Sequence, residues 1–169
     1  CEAARGAARR VREEVTAIEP RGRVFVIAGP SGVGKGTIVR GVLERLPRLR
    51  PSISATTRPP RPDERDGVEY AFVSDEEFSR MAREGELLEW AEVFGYRYGT
   101  PVRLVREALE RGKDIVLEID VQGAHQVREK LPSAVLILLE PPSMAELERR
   151  LRERATEDEI DLSERLATA

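Results

Sequence analysis

The chain has 169 residues, of which 40% are hydrophobic and 35% are charged, and these values are typical of one soluble globular domain. No stretch approaches the ~20 apolar residues of a membrane span and no secretory signal is visible, so the sequence predicts a cytoplasmic protein without a membrane partner. The net charge of −3 argues against a protein that coats nucleic acid, and the single cysteine, Cys1, excludes a disulfide framework and a cysteine metal site.

Strands and helices are predicted to alternate along much of the chain. The apolar runs that predict strands are 23–28 (RVFVIA), 114–119 (DIVLEI) and 134–139 (AVLILL). A helical pattern follows each of them, over 36–46, near 121–131 and near 143–153. This alternation predicts an α/β fold in which helices cover both faces of a parallel central sheet.

Two segments differ from that pattern. Residues 1–20 are rich in Ala, Arg and Glu and predict an N-terminal helical extension that ends at Pro20. Residues 52–100 are rich in Pro, Arg, Gly and Tyr, with short strands around a helix near 75–84, and predict an inserted lobe. The core of the domain would then consist of residues 21–51 and 101–149.

The first strand leads into a loop that matches the pattern G-x-x-x-x-G-K at Gly29, Gly34 and Lys35. Glycines let successive backbone N–H groups point at phosphates, and the following helix adds its positive N-terminal end. Lys35 would reach the β- and γ-phosphates as a point charge. A chance match in glycine-rich coil is the alternative, and the flanking strand and helix argue against it. The residues predicted to hold the phosphates of a nucleoside triphosphate are Gly29, Pro30, Ser31, Gly32, Val33, Gly34, Lys35, Gly36 and Thr37.

Arginines form two clusters, one in the predicted lobe and one in the last predicted helix. They are Arg58, Arg61 and Arg65, and then Arg149, Arg150, Arg152 and Arg154. Such clusters can be solvated surfaces. Their occurrence in a chain that also carries a phosphate loop favours contacts to a donor and an acceptor nucleotide, which together bring many negative charges.

Four further motifs follow the loop in order: 52–61 (SISATTRPPR), 66–73 (DGVEYAFV), 85–91 (GELLEWA) and 96–100 (YRYGT). With the loop GPSGVGKGT they closely resemble the guanylate kinase family, and the resemblance runs from about residue 23 to 168. It implies a three-layer α/β/α P-loop kinase with a GMP-binding lobe over 52–100 and a helical lid over about 150–162. The implied reaction transfers the γ-phosphate of ATP to GMP with Mg²⁺, giving ADP and GDP, in a monomer or homodimer.

The acceptor phosphate has candidate ligands in the lobe. Arg58 and Arg61, three positions apart, can grip a phosphate dianion through forked N–H groups. The resemblance adds the hydroxyls of Tyr70 and Tyr98, for which core packing is the alternative.

The guanine base presents two adjacent donors, N1–H and the N2 amino group, and a carboxylate can accept from both. The resemblance assigns this role to Glu89, with hydroxyls of Ser54 and Thr100 near O6 and N7, and Thr100 stands where serine is common in the family. An exposed strand glutamate is the alternative for Glu89. The resemblance also makes Glu118 a contact to the guanine amino group.

Acidic residues end the strand 114–119. Alternation puts Glu118 and Asp120 on the same side, at the strand end where open α/β sheets bind ligands. The resemblance places Asp120 near Mg²⁺ and the phosphates, and a helix cap is the alternative. Gly36 stands where the loop motif usually has Ser or Thr, so either Thr37 takes the hydroxyl role beside Mg²⁺, or backbone and water do.

Arginines of the implied lid complete the predicted catalytic set, which is Lys35, Arg58, Arg150, Arg154 and Arg165. Arg154-Ala155-Thr156 replaces the family's usual Arg-Gly-Thr, which is expected to alter lid flexibility. The family normally continues beyond residue 169 with one more strand and helix beside the adenine ring. Their absence would mean truncation, a partner on that edge or reduced activity.

Three functions are compatible with parts of this pattern. A guanylate kinase is favoured because the phosphate loop and Asp120 are both present. A phosphopeptide-binding module, like the guanylate-kinase-like domains of scaffold proteins, would not need them. A kinase for a different acceptor base is disfavoured by the combination of Ser54, Glu89 and Thr100.

Overall fold

The structure is a computed structural model that describes residues 22–154. Its strands are β1 (Val24–Ala28), β2 (Leu49–Pro51), β3 (Ser54–Thr56), β4 (Tyr70–Phe72), β5 (Leu87–Val93), β6 (Tyr96–Pro101), β7 (Asp114–Ile119) and β8 (Val135–Leu138). Its helices are α1 (Lys35–Arg45), α2 (Asp75–Glu84), α3 (Val102–Glu110), α4 (Val121–Lys130) and α5 (Met144–Arg154). The predicted extension 1–20, the lid residues beyond 154 and the side chain of Arg154 lie outside the described residues.

The core sheet has the strand order β2-β7-β1-β8, and all three pairings are parallel. Successive side chains of a strand point to opposite faces, so β1 serves two cores. Val24 and Val26 pack with residues of α3 and α4, whereas Ile27 packs with Val39 of α1 on the other face. The prediction of a parallel sheet covered by helices on both faces is confirmed.

The lobe is a second sheet, of mixed direction, with the order β4-β3-β6-β5. β3 and β4 are parallel, and the other pairings are antiparallel. Phe78 and Met81 of α2 are buried against Ala55 and Leu87, so this lobe has an apolar core of its own. Leu88 enters the core of the main sheet whereas Leu87 belongs to the lobe core, and the pairing of β5 with β6 shifts register between Leu87 and Glu89.

α3 was not among the predicted helices, although Val102, Val105 and Leu109 form a buried stripe with helical spacing. α5 begins before the predicted lid boundary near residue 150 and continues across it. Leu147 and Leu151 are almost fully buried. Within residues 22–154, no helix combines the length and apolar character needed to cross a membrane.

Candidate active site

A cleft of about 710 Å³ lies between the core sheet and the lobe. The loop after β1, the end of β7 and the lobe strands all contribute to its walls, because the carboxyl ends of parallel strands meet at one edge of a sheet. The predicted site residues that line it are Ser31, Gly32, Gly34, Lys35, Gly36, Ser54, Arg58, Arg61, Tyr70, Glu89, Tyr98, Glu118 and Asp120. The fold therefore brings the two predicted nucleotide sites into one cavity.

The glycine-rich loop curls around the ammonium group of its own lysine. Lys35 Nζ donates to the backbone oxygens of Gly29, at 2.7 Å, and Pro30, at 3.0 Å. Gly34 precedes α1 with φ of 104°, a backbone conformation that favours glycine. Thr37 is exposed and is not part of the cleft wall. The loop has the form that receives phosphate oxygens at a helix N-terminus.

Arg58 enters the cleft paired with Glu64. Its Nη2 donates to both carboxylate oxygens, at 2.8 and 2.9 Å, and both side chains are only 12% exposed. Burial opposes the charge of Glu64, but hydrogen bonds from the Arg61 amide and the Arg58 guanidinium outweigh it and hold the pKa of the Glu64 carboxyl below its usual value. The guanidinium is thus oriented before any phosphate arrives.

The two tyrosines predicted to bind phosphate stand beside that guanidinium. The Tyr70 and Tyr98 rings lie edge to face with centroids 6.0 Å apart, and the Arg58 guanidinium carbon lies 5.5 Å from the Tyr70 centroid. Burial raises the pKa of the Tyr70 phenol, and the negative charge of Glu118 adds to the rise. Both rings line the cleft, so they belong to its wall and not to the lobe core.

Glu89 is buried, and its side chain forms part of the cleft wall. The residue is 3% exposed, which rules out the alternative of an exposed strand glutamate. Thr100, itself fully buried, donates its hydroxyl to Glu89 Oε1 at 2.6 Å. Thr100 therefore lies behind Glu89 and does not line the cleft.

Desolvation dominates the electrostatics of Glu89. Burial raises the pKa of its carboxyl to about 7, the Thr100 hydrogen bonds and the charge of Lys130 act against the rise, and the charge of Asp120 adds to it. A ligand with two hydrogen-bond donors would stabilise the ionised form of this carboxyl group, so the two hydrogen bonds would contribute strongly to binding.

Glu118 and Asp120 face the same cleft from the end of β7, as alternation predicts. A Cβ atom on Gly36 would lie 3.5 Å from both Glu118 oxygens, so this carboxylate adjoins the first turn of α1. Asp120 also caps α4, since its Oδ1 accepts from the Gly123 amide at 2.7 Å. Asp120 is therefore a helix cap, and it lines the cleft as well.

No cluster of three or more His, Cys, Asp or Glu side chains suited to a metal ion occurs within residues 22–154. Mg²⁺ does not need such a cluster, because it is commonly held by one or two carboxylates, substrate phosphates and water. Asp120 lines the same cleft as the phosphate loop and supplies a carboxylate of that kind. The donor set fits Mg²⁺ carried in with a nucleotide.

Of the predicted lid arginines, Arg150 reaches the phosphate loop. Its Nη1 donates to the backbone oxygen of Val33 at 3.1 Å, and its Nε pairs with Glu146 at 2.7 Å. Arg165 and the Arg154 side chain lie outside the described residues.

Three residues that no sequence motif marks support residues of the site. Glu64 binds Arg58, while Gln126 and Lys130 of α4 bind the backbone of β5 on either side of Glu89. The spacing of Gln126 and Lys130 places them on one face of a helix, but no sequence pattern shows that β5 lies against that face.

Known proteins are similar to this chain over most of its length. A family model described as guanylate kinase matches residues 21–169. The guanylate kinase of Rubrobacter xylanophilus is 54% identical over 149 residues, 88% of this chain and 78% of the relative. That of Synechococcus elongatus is 55% identical over 148 residues, 88% of this chain and 81% of the relative.

A solved structure is similar as well. The crystal structure of guanylate kinase from Anaplasma phagocytophilum matches with a TM-score of 0.68 and 35% identity, over 86% of this chain and 71% of that chain. The chain therefore belongs to the guanylate kinase family of nucleoside monophosphate kinases.

Proposed function

We propose that the cleft holds ATP and GMP together and transfers the γ-phosphate of ATP to the phosphate of GMP. The observation that supports this most directly is the position of Glu89. A nearly buried carboxylate faces the same cavity as Lys35 and the phosphate loop. One wall can therefore bind a triphosphate while the other reads a base.

Guanine selection follows from the donor pattern of the base. Glu89 accepts from N1–H and the N2 amino group, and Ser54 lines the same wall and can supply a hydroxyl. Thr100 orients the carboxylate by its 2.6 Å hydrogen bond. Adenine carries an acceptor at N1 and no N2 amino group, so it would leave a buried carboxylate unpaired, at a cost of about 1–3 kcal/mol or more.

The GMP phosphate is held by Arg58 and Arg61, with the hydroxyls of Tyr70 and Tyr98 beside them. Fork-shaped guanidinium groups match the geometry of phosphate oxygens. This arrangement fixes the attacking oxygen, and positioning of this kind supplies a large part of the rate enhancement in phosphoryl transfer.

The ATP phosphates lie in the loop 29–37, where the backbone amides, the N-terminus of α1 and Lys35 face them. Arg150, already bonded to the loop at Val33, adds positive charge on the side of α5. Asp120 is the residue that would hold Mg²⁺, with Thr37 as the candidate hydroxyl, and Glu118 is proposed to contact the guanine amino group. The ion would neutralise charge on the β- and γ-phosphates. Arg154 and Arg165 are proposed to complete the arginine set.

We further infer a cytoplasmic reaction with no nucleic-acid or membrane partner, in a monomer or homodimer. Both proposed substrates are small cytosolic nucleotides, and the net charge of −3 does not favour a nucleic-acid surface.

A coupled assay of ADP formation tests the proposal, with Mg²⁺, ATP and each of GMP, AMP, UMP and CMP. GMP should be turned over fastest, and chelation of Mg²⁺ should abolish turnover. Glu89→Gln should raise the KM for GMP by roughly tenfold or more and leave the KM for ATP unchanged. Glu92→Gln is the matched control, because Glu92 is exposed on the same strand.

Faster turnover with AMP than with GMP would contradict the proposal. Equal losses toward GMP and ATP in Glu89→Gln would contradict the role of that residue. Binding without turnover would favour the phosphopeptide-binding module over the kinase.

A further inference from the structure

α4 bonds the backbone of β5 on both sides of Glu89. The Gln126 side chain donates to the Trp90 carbonyl oxygen at 2.6 Å and accepts from the Trp90 amide at 3.2 Å. Lys130 Nζ donates to the Leu88 carbonyl oxygen at 2.7 Å. The residues immediately before and after Glu89 are therefore both held by one helix.

These contacts are made at an open edge of the lobe sheet. β5 is the last strand in the order β4-β3-β6-β5, so its outer backbone groups have no strand partner in that sheet. Two polar side chains of α4 take the place of a neighbouring strand there. They satisfy edge groups that would otherwise bind water.

The same face of α4 also approaches the carboxylate itself. Gly123, Gln126 and Lys130 follow the three- and four-residue spacing of one helix face. A Cβ atom on Gly123 would lie 2.5 Å from Glu89 Oε2, so the absence of a side chain there leaves room for the carboxylate. α4 is capped by Asp120, which follows β7 and lines the cleft, so the helix ties the position of Glu89 to that end of the cleft.

We propose that Gln126 and Lys130 are positioning residues for guanine recognition, which fix the Glu89 carboxylate against the core by holding the backbone of Trp90 and Leu88. This inference rests on the proposed function, because it assigns the two side chains to the reading of guanine by Glu89. Neither side chain lines the cleft, so neither touches a substrate there.

Steady-state kinetics of Gln126→Leu and Lys130→Met test the inference with GMP and IMP as acceptors. IMP keeps the phosphate and N1–H but lacks the N2 amino group, so it uses Glu89 less fully. Each variant should lower kcat/KM for GMP by roughly fivefold, and by less for IMP, while the KM for ATP stays unchanged. The preference for GMP over IMP should therefore narrow.

Arg128→Met is the matched control, because Arg128 is exposed on the same helix and its loss changes the charge as Lys130→Met does. Arg128→Met should prefer GMP over IMP by the same factor as the wild type. Trp90 is the only tryptophan, so its fluorescence reports the anchor directly. Its emission should change in Gln126→Leu and not in Arg128→Met. If Gln126→Leu does not fold, Lys130→Met supplies the same comparison.

Two outcomes would overturn the inference alone: an unchanged preference in both variants, or equal losses toward GMP and IMP, which would indicate a purely structural role. A wild-type chain that does not phosphorylate GMP would instead overturn the proposed function, and the inference with it.

Discussion

Gly123 and Glu89 approach each other so closely that a Cβ atom on Gly123 would lie 2.5 Å from Glu89 Oε2. The atom it would meet is the end of a side chain, so an added methyl group would displace the carboxylate before it displaced the backbone. The contact joins the start of α4 to the centre of β5. A substitution at Gly123 can therefore change the position of the Glu89 carboxylate without changing the fold.

Gly123→Ala should therefore weaken GMP binding without loss of stability. We expect the KM for GMP to rise by roughly tenfold, because the displaced carboxylate no longer meets both donors. The free energy of unfolding should change little, since alanine is favoured over glycine in a helix by about 1 kcal/mol. Urea unfolding and kinetics measure the two effects separately.

Gly41→Ala is the control for that substitution. Gly41 lies in α1, where an added Cβ atom would come only within 3.5 Å of the flexible Arg45 side chain. It should gain helix stability and leave the KM for GMP unchanged. A Gly123→Ala variant with the GMP affinity of the wild type would show that Glu89 does not need its present position.

The pKa of Glu89 predicts how stability depends on pH. Burial raises it from its ordinary value of 4.5 to about 7 in the folded chain. Between these values the unfolded chain has lost the proton and the folded chain keeps it, so stability falls as pH rises. Glu89→Gln removes this titration. As pH rises from about 5 to about 8, the unfolding free energy of Glu89→Gln should therefore increase relative to that of the wild type by about 2–3 kcal/mol.

Urea unfolding of both proteins at the two pH values measures this difference, with Glu92→Gln as the exposed control. The prediction would be contradicted if the unfolding free energy of Glu89→Gln exceeded that of the wild type by the same amount at both pH values, or by more at about pH 5. Either result would show that Glu89 is ionised in the folded chain without substrate.

Arg58 should not be replaceable by lysine. Its guanidinium binds Glu64 and stands over Tyr70, and a lysine would keep the charge but lose the planar fork. We expect Arg58→Lys to lower kcat/KM for GMP by roughly tenfold or more and to leave the KM for ATP unchanged. Arg80→Lys is the control, since Arg80 pairs with Glu77, Glu84 and Glu86 on the lobe surface. If both variants lowered kcat/KM for GMP equally, Arg58 would not be a ligand of the GMP phosphate.

Gly32→Ala should destabilise the contact between the phosphate loop and α5. Gly32 has φ of 81°, and an added Cβ atom would lie 2.7 Å from the Leu151 side chain, which is almost fully buried. Gly67→Ala is matched in backbone conformation, with φ of 74°, but no atom lies within 4 Å of its added Cβ. Gly67→Ala should cost about 1–2 kcal/mol of unfolding free energy, and Gly32→Ala about 1–3 kcal/mol more.

Urea midpoints of the two variants give the comparison directly. Identical losses would mean that only the positive φ matters and that α5 does not pack on the loop as described.

Much of the fold was predictable because its signals are local. The apolar run 114–119 matches β7 residue for residue, and the pattern near 75–84 matches α2. α3 was missed although its buried stripe has helical spacing, because its nine residues follow directly on β6 without a side-chain cap. The phosphate loop was predictable from its glycine pattern, whereas Glu89 and the two tyrosines were named by resemblance to the family.

The pairings inside the site were not predictable. Glu64 follows Arg61 by three positions, yet nothing in that spacing shows that it binds Arg58 and not solvent. Thr100 was expected to face the base, whereas its hydroxyl lies behind Glu89. Gln126 and Lys130 lie about forty residues beyond the strand that they hold.

The sequence by itself determined most of the elements and the kind of chemistry, because strand alternation, helix spacing and the glycine-rich loop are set by neighbouring residues. Only the tertiary structure decided which side chains act together. Burial of Glu89, its contact with Gly123 and its shifted pKa exist only when β5 packs on α4. Desolvation and hydrogen-bond geometry depend on distances between segments far apart in the chain, which no local pattern contains.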